Sequence, residues 1–163
     1  MQLSANFTLA DVARSGTATK LGIDNTPPPA VIERATDVAV NVVEKIAQRY
    51  GVANVEINSW YRGEALERHI CDGAYRTWCK KNGVAVNAKS WATYFARKQH
   101  PAGNAVDLEV KGVGNRELFE WIKANLVFDQ LILEVHKSGD PRSGWVHVSY
   151  VDGVNRKQAF TIG

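Results

Sequence analysis

Apolar residues recur at helical spacing from Val31 to Tyr50, with Val31, Ile32, Ala35, Val38, Val42, Val43, Ile46 and Ala47 on one face, and Gly51 stops the run. That pattern predicts a core-packing helix. Upstream, Phe7-Thr8-Leu9-Ala10-Asp11 opens a short segment, helical in part, that ends near Gly16. Asp24-Asn25-Thr26-Pro27-Pro28-Pro29 forms a rigid turn in which Thr26 can cap the long helix. Val55-Glu56-Ile57-Asn58-Ser59 alternates as a strand does, and a second helix is expected from about Glu64, with Gly73 a candidate break. Ala105 to Val110 alternates again, with Val106, Leu108 and Val110 on one face and Ala105, Asp107 and Glu109 on the other. Asn115 can cap a helix through about Asn125. A strand follows from Asp129 to Val135, then a turn over 140–144 and a strand from Trp145 to Val151. Helices first, then strands with one interrupting helix, predict an α+β fold in which a small antiparallel sheet packs with helices.

No repeat, low-complexity tract or linker divides the 163 residues, which predicts a single domain across 1–163 with its own core. Residues 71–97 carry Tyr75, Trp78, Trp91, Tyr94 and Phe95 without sheet periodicity. They read as an insertion that forms either a wall over a cleft or a small satellite core. The net charge of +3 includes the clusters Lys80-Lys81 and Arg97-Lys98, which suit a solvated face or anionic surroundings such as a bacterial wall. Nothing has the density of a basic stripe, so no nucleic-acid partner is expected. No apolar run is long enough to cross a membrane, and Met1-Gln2-Leu3-Ser4 lacks the basic start and apolar core of a signal peptide. The expectation is synthesis in the cytoplasm without membrane insertion. Cys71 and Cys79 read as reduced thiols, with pairing after export left open, and His69 beside them makes only a weak, incomplete metal set.

The chemistry concentrates in Gln99-His100-Pro101-Ala102-Gly103-Asn104-Ala105-Val106-Asp107, answered downstream by Trp145-Val146-His147-Val148-Ser149. Gly103 lets the loop histidine fold over the strand carboxylate. Alternation puts Asp107 on the polar face and aligns Trp145, His147 and Ser149 on one side of the later strand. His100, Asp107 and His147 are therefore a candidate three-ligand metal set. Structural zinc is usually closed by four protein ligands, whereas catalytic zinc takes three and keeps a place for water. The pattern points to hydrolysis. Neither a G-x-S-x-G elbow, a recognisable cysteine-nucleophile signature nor a phosphate-binding glycine loop competes with it.

Through these motifs the chain resembles the zinc D-Ala-D-Ala carboxypeptidase and phage endolysin peptidase family, whose fold is shared with the hedgehog signalling domain. Phe7-Thr8-Leu9, Arg14-Ser15-Gly16-Thr17-Ala18, Gly22-Ile23-Asp24-Asn25-Thr26-Pro27-Pro28, Ser59-x-Tyr61-Arg62 and Phe128-Asp129-Gln130-Leu131-Ile132 carry the resemblance alongside the two histidine motifs. It spans nearly the whole chain outside residues 71–97. The resemblance implies one zinc ion per chain on His100, Asp107 and His147, Glu134 as general base, and Arg62 facing the substrate cleft. Those roles suit the residues: Glu134 ends an apolar strand on the same face as Gln130 and Ile132, and a carboxylate beside the metal can move a water proton. Arg62 can pair with a substrate carboxylate through its planar fork.

Lys98 stands where many relatives carry serine, and Trp145 where some carry a second histidine; His136 is a candidate for the missing donor. Trp145, His136 and Gln99 are the candidate substrate-binding residues. The implied function is zinc-dependent hydrolysis of peptide bonds in bacterial peptidoglycan, endolysin-like or D,D-carboxypeptidase-like, by a monomer. It would reach the wall after release through the membrane or as part of a virion. The alternative is a non-catalytic, zinc-stabilised wall-binding or phage structural module, since one fold serves several functions.

Overall fold

A computed structural model describes residues 1–163. Its frame is one five-stranded sheet of β1 (Val55–Ser59), β2 (Ala105–Val110), β3 (Gln130–Glu134), β4 (Trp145–Ser149) and β5 (Gln158–Ile162), in spatial order β1-β2-β4-β3-β5. The α+β class is as the sequence patterning predicts. The sheet is mixed, however, and not purely antiparallel. Strand β5, absent from the alternation analysis, runs parallel to β3 along the sheet edge, while the other three pairings are antiparallel. Most of β5 is exposed, so it carries little apolar patterning.

One sheet face is the core. Val106, Leu108 and Val110 of β2, Leu131 and Leu133 of β3, and Val146 and Val148 of β4 are buried there. Fully burying each such side chain contributes about 1.5–3 kcal/mol. The long helical segment covers that face: α3 (Pro29–Val38) passes through one π turn (Ala39–Val43) into α4 (Glu44–Tyr50). A π turn shifts the helix register by one residue, about 100°. That shift buries both Val42 and Val43 completely, along with Ile46. α8 (Asn115–Asn125) adds Leu118, Phe119 and Ile122 to the same core.

Before the long helix come α1 (Leu9–Ala13) and α2 (Gly16–Leu21), the latter capped by Ser15, whose hydroxyl accepts from the Ala18 N–H at 3.2 Å. Two expected caps are different. Thr26 does not cap α3; its N–H and hydroxyl both donate to Asp24, and Pro28 holds the N-cap position. Asn115 lies inside α8, after Gly114, and its side-chain amide instead donates to Glu109 and to the Gly144 carbonyl. Gly73 breaks nothing, because α5 runs unbroken over Glu64–Asn82. The intrinsic cost of about 1 kcal/mol for a helical glycine is small against the packing of a 19-residue helix.

The part of α5 from Cys71 onward and α6 (Ala88–Phe95) make up most of the 71–97 segment that looked inserted. Between them Tyr75, Cys79, Trp91 and Tyr94 form a satellite core of their own, with Trp78 and Phe95 packed against it. The Tyr75 hydroxyl is hydrogen-bonded to Ser90 Oγ at 2.6 Å, and the Trp91 indole donates to Glu64 at 2.7 Å. Most of the aromatic content is thus structural. No helix is long and apolar enough to cross a membrane.

Candidate metal centre

On the sheet face opposite the core, β2 and β4 set Asp107 directly across from His147, and β3 sets Ile132 beside His147 and Glu134 beside Trp145. Directly opposed residues share a face, so strand register alone brings these side chains together. His100 arrives from α7 (Gln99–Ala102). That helix ends at Gly103, with φ of 83°, and a Cβ there would lie 2.7 Å from the Val31 carbonyl oxygen. Glycine is required for this close, left-handed ending. The ligand atoms of His100, Asp107 and His147 then all lie within 4.8 Å of one another, and all three residues are buried.

Proton positions define the cluster. His100 Nδ1 is 2.6 Å from the Trp60 carbonyl oxygen, which only accepts, so Nδ1 carries the hydrogen and Nε2 offers a lone pair. His147 Nε2 is 2.9 Å from Gln99 Oε1. The Gln99 amide cannot be reversed, because its Nε2 donates to Asp129 Oδ2 at 3.1 Å, and Asp129 already accepts from Arg156 Nε at 2.7 Å. His147 therefore donates outward from Nε2, and its neutral ring offers the Nδ1 lone pair inward. Both lone pairs face Asp107 Oδ1, from 3.1 Å and 2.9 Å. Three electron-rich atoms at that spacing repel one another unless a cation lies among them.

Electrostatics agrees with the donor set. Burial pushes the His100 imidazolium pKa down, against the pull of Asp107, and so favours the neutral ring that a metal needs. For Asp107 burial raises the pKa, while either imidazole in its protonated, donating form outweighs that and holds the carboxyl far below the ordinary carboxylate range. Arg62 Nη2 donates to the other oxygen, Asp107 Oδ2, at 2.6 Å. The buried His100, Asp107, His147 group can hold a metal ion.

Arg62 is fastened on more than one side. Its Nε donates to Ser59 Oγ at 2.8 Å, and its Nη1 lies 3.7 Å from the buried Glu67 carboxylate. Part of its charge is thus spent on aiming Asp107 Oδ1 at the imidazoles. Glu134 sits beside the triad without joining it: one carboxylate oxygen is 4.0 Å from His147 Nδ1, in a side chain about a quarter exposed. Burial, and then the negative charge of Asp107, push its pKa above the ordinary value for glutamate. The chain reverses immediately afterwards: Val135 adopts φ of 53° and Gly144, across the turn, approaches so closely that a Cβ would lie 1.8 Å from the Glu134 carbonyl oxygen. A β-branched residue in the left-handed region is uncommon; here its N–H is secured to the Ile162 carbonyl at 2.7 Å, so β5 fixes the strand end that carries Glu134.

Arg62, His100, Asp107, Glu134 and His147 line one open cleft of about 900 Å³, joined by Gln99 and Trp145. Neither a protein-family model nor a curated protein matches this chain. His136 stands apart from the cleft lining, beside Ser143, so the structure does not bring it in as the missing donor. The Trp145 indole Nε1 is buried without an acceptor, and Trp145 offers the cleft its ring. Cys71 and Cys79 are free thiols, and His69 joins no metal-binding group. The Cys71 thiol donates to Glu67 at 3.0 Å, and burial pushes its pKa up to about 11.

Gln99, expected on the substrate side, lines the cleft and also supports His147. Sequence reasoning missed the rest of that support: the Trp60 carbonyl, Asp129, Arg156, and Glu67 behind Arg62. A backbone acceptor leaves no trace in residue identity, and Glu67 and Arg156 belong to no motif of the site. Such outer partners typically carry about 10–100-fold in metal affinity. Gln99→Leu is accordingly expected to weaken metal binding by about that factor without unfolding the chain. Competition against a chromophoric chelator measures it; unchanged affinity would show that the amide does not orient His147.

Proposed function

We propose that this chain is a zinc metallopeptidase that hydrolyses peptide bonds in bacterial peptidoglycan. The observation carrying this reading is the convergence of two imidazole lone pairs on Asp107 Oδ1, with both outer nitrogens committed elsewhere, in an open cleft that also presents Glu134. Two imidazoles and one carboxylate form a familiar catalytic-zinc donor set, and three protein ligands leave a coordination place for substrate or water. Held by His100, Asp107 and His147, a zinc ion would supply a coordinated water whose pKa is lowered from about 15.7 toward about 7 and would polarise the scissile carbonyl. Glu134 takes the proton of the attacking water and returns it to the departing amine nitrogen, so that one O–H and one C–N bond are exchanged for one C–O and one N–H bond. Arg62 lines the cleft and presents positive charge to a substrate carboxylate, while Ser59, Asp107 and Glu67 hold its guanidinium in place. The likeness of the His100–Asp107 and Trp145–Ser149 motifs to the wall peptidases supports peptidoglycan as substrate, reached after release through the membrane or within a virion, by a monomer.

Incubation with purified sacculi tests the reading. New amino groups should be released, release should stop with a chelator, and zinc should restore it. Mass spectrometry of the products then identifies the bond. Retention on sacculi without release would make the chain a zinc-stabilised wall-binding module.

A further inference from the structure

The metal centre lies between two unlike arms. On the α2 side, the adjoining recess is lined by Ser15, Thr17, Asn58, Ser59 and Trp145, and its only charges are Arg62 and Asp107, which neutralise each other at 2.6 Å. On the α6 side, the cleft runs past Arg97 and Lys98 into a groove of about 420 Å³ lined by Trp78, Lys81, Asn82, Tyr94, Arg97 and Lys98. That groove holds three cationic side chains and no acidic one. No ion pair engages Lys81 or Arg97, while Lys98 stands 4.0 Å from Glu67 and lies over the Tyr94 ring at 4.2 Å. Trp78, half-buried, and Tyr94 give the groove an aromatic wall, with ring centroids 5.6 Å apart.

We propose that this groove between α5 and α6 is a second binding subsite, for a carboxylate-bearing segment of the same peptide chain whose scissile bond lies at the metal centre. Unpaired cations beside a low-dielectric aromatic wall focus field on an entering anion more strongly than cations on an open surface do. Arg97 and Lys98 belong both to the cleft and to the groove, and they immediately precede Gln99 and the ligand His100. An acidic chain held on them is therefore placed in register with the reacting bond. The neutral arm takes the uncharged residues on the other side. The identity of the ligand as a peptide rests on the peptidase reading above; the charge of the groove does not.

The test is a titration of the whole protein, with chelator present, using hexaglutamate, hexaglutamine and a polyphosphate of charge matched to hexaglutamate, followed by tryptophan fluorescence. Hexaglutamate should bind and hexaglutamine should not. The double variant Lys81→Glu/Arg97→Glu, whose side chains are exposed, should weaken hexaglutamate by roughly tenfold or more, and added salt should weaken the native protein too. In sacculus digestion the same variant should raise KM and leave kcat unchanged. Equal binding of the two peptides, or no effect of the double variant, overturns the proposal. Preference for polyphosphate with the same dependence on Lys81 and Arg97 overturns the assignment to carboxylates in favour of a phosphate polymer. Because the titration needs no hydrolysis, hexaglutamate binding without release from sacculi supports the groove and overturns the peptidase. Release that is indifferent to the double variant does the reverse.

Discussion

Glu134→Gln is expected to retain metal and fold while losing about two to four orders of magnitude in the rate of peptide hydrolysis, the usual range for removal of a general base. The substitution keeps the size of the side chain and removes only its capacity to take a proton. As the proposed base Glu134 must be ionised to act, and in the metal-free chain burial followed by the charge of Asp107 hold its pKa above the ordinary value for glutamate. Activity should therefore rise with pH as Glu134 ionises, and Glu134→Gln should abolish that rise. The sign for stability is opposite. A carboxyl whose pKa is raised by folding costs stability as pH climbs through the interval between its unfolded and folded values. Glu134→Gln should melt no lower than the native chain near pH 8. Steady-state rates across pH, with metal analysis of the same samples, measure both effects. Undiminished activity in the variant would assign proton transfer to another group.

Asp107→Ala is expected to produce the largest loss of stability. It removes a metal ligand and also the carboxylate against which Arg62 is held at 2.6 Å. Breaking a buried ion pair by deleting one partner costs about 3–5 kcal/mol, because the remaining charge stays desolvated. The ordinary protein should bind one equivalent of metal, and a chelator should lower its melting temperature, since a ligand that binds only the folded state stabilises it by mass action. In Asp107→Ala, elemental analysis should find no stoichiometric metal and the chelator should shift nothing. Stoichiometric metal surviving in that variant would place the ion elsewhere. Acid should act on the native centre in the same direction, because protonation of His100 competes with the metal.

Part of this site is legible in the sequence itself. The alternation of Val106, Leu108 and Val110 with Asp107 is local, and a strand has only two faces, so burying one trio commits the carboxylate to the other face. The same reasoning placed His147 beside Trp145, and Gly103 announced the turn that brings His100 over. The aromatic segment was ambiguous between a wall and a satellite core because a buried tryptophan and a cleft tryptophan look alike in composition. Tyr75 and Trp91 went to the satellite core, while Trp78 both packs against that core and lines the groove.

Residue pattern alone determined the α+β class, four of the five strands, and a histidine–aspartate–histidine set able to converge, because each depends on periodicities of two or 3.6 residues that the chain displays locally. Tertiary structure decided that β5 closes the sheet in parallel, since pairing with β3 unites segments far apart in sequence and is worth nothing until the chain between them has folded. It also decided which nitrogen of each imidazole carries its proton. The Trp60 carbonyl and the Gln99, Asp129, Arg156 chain set those protons through distance and direction, and neither quantity exists along a linear sequence.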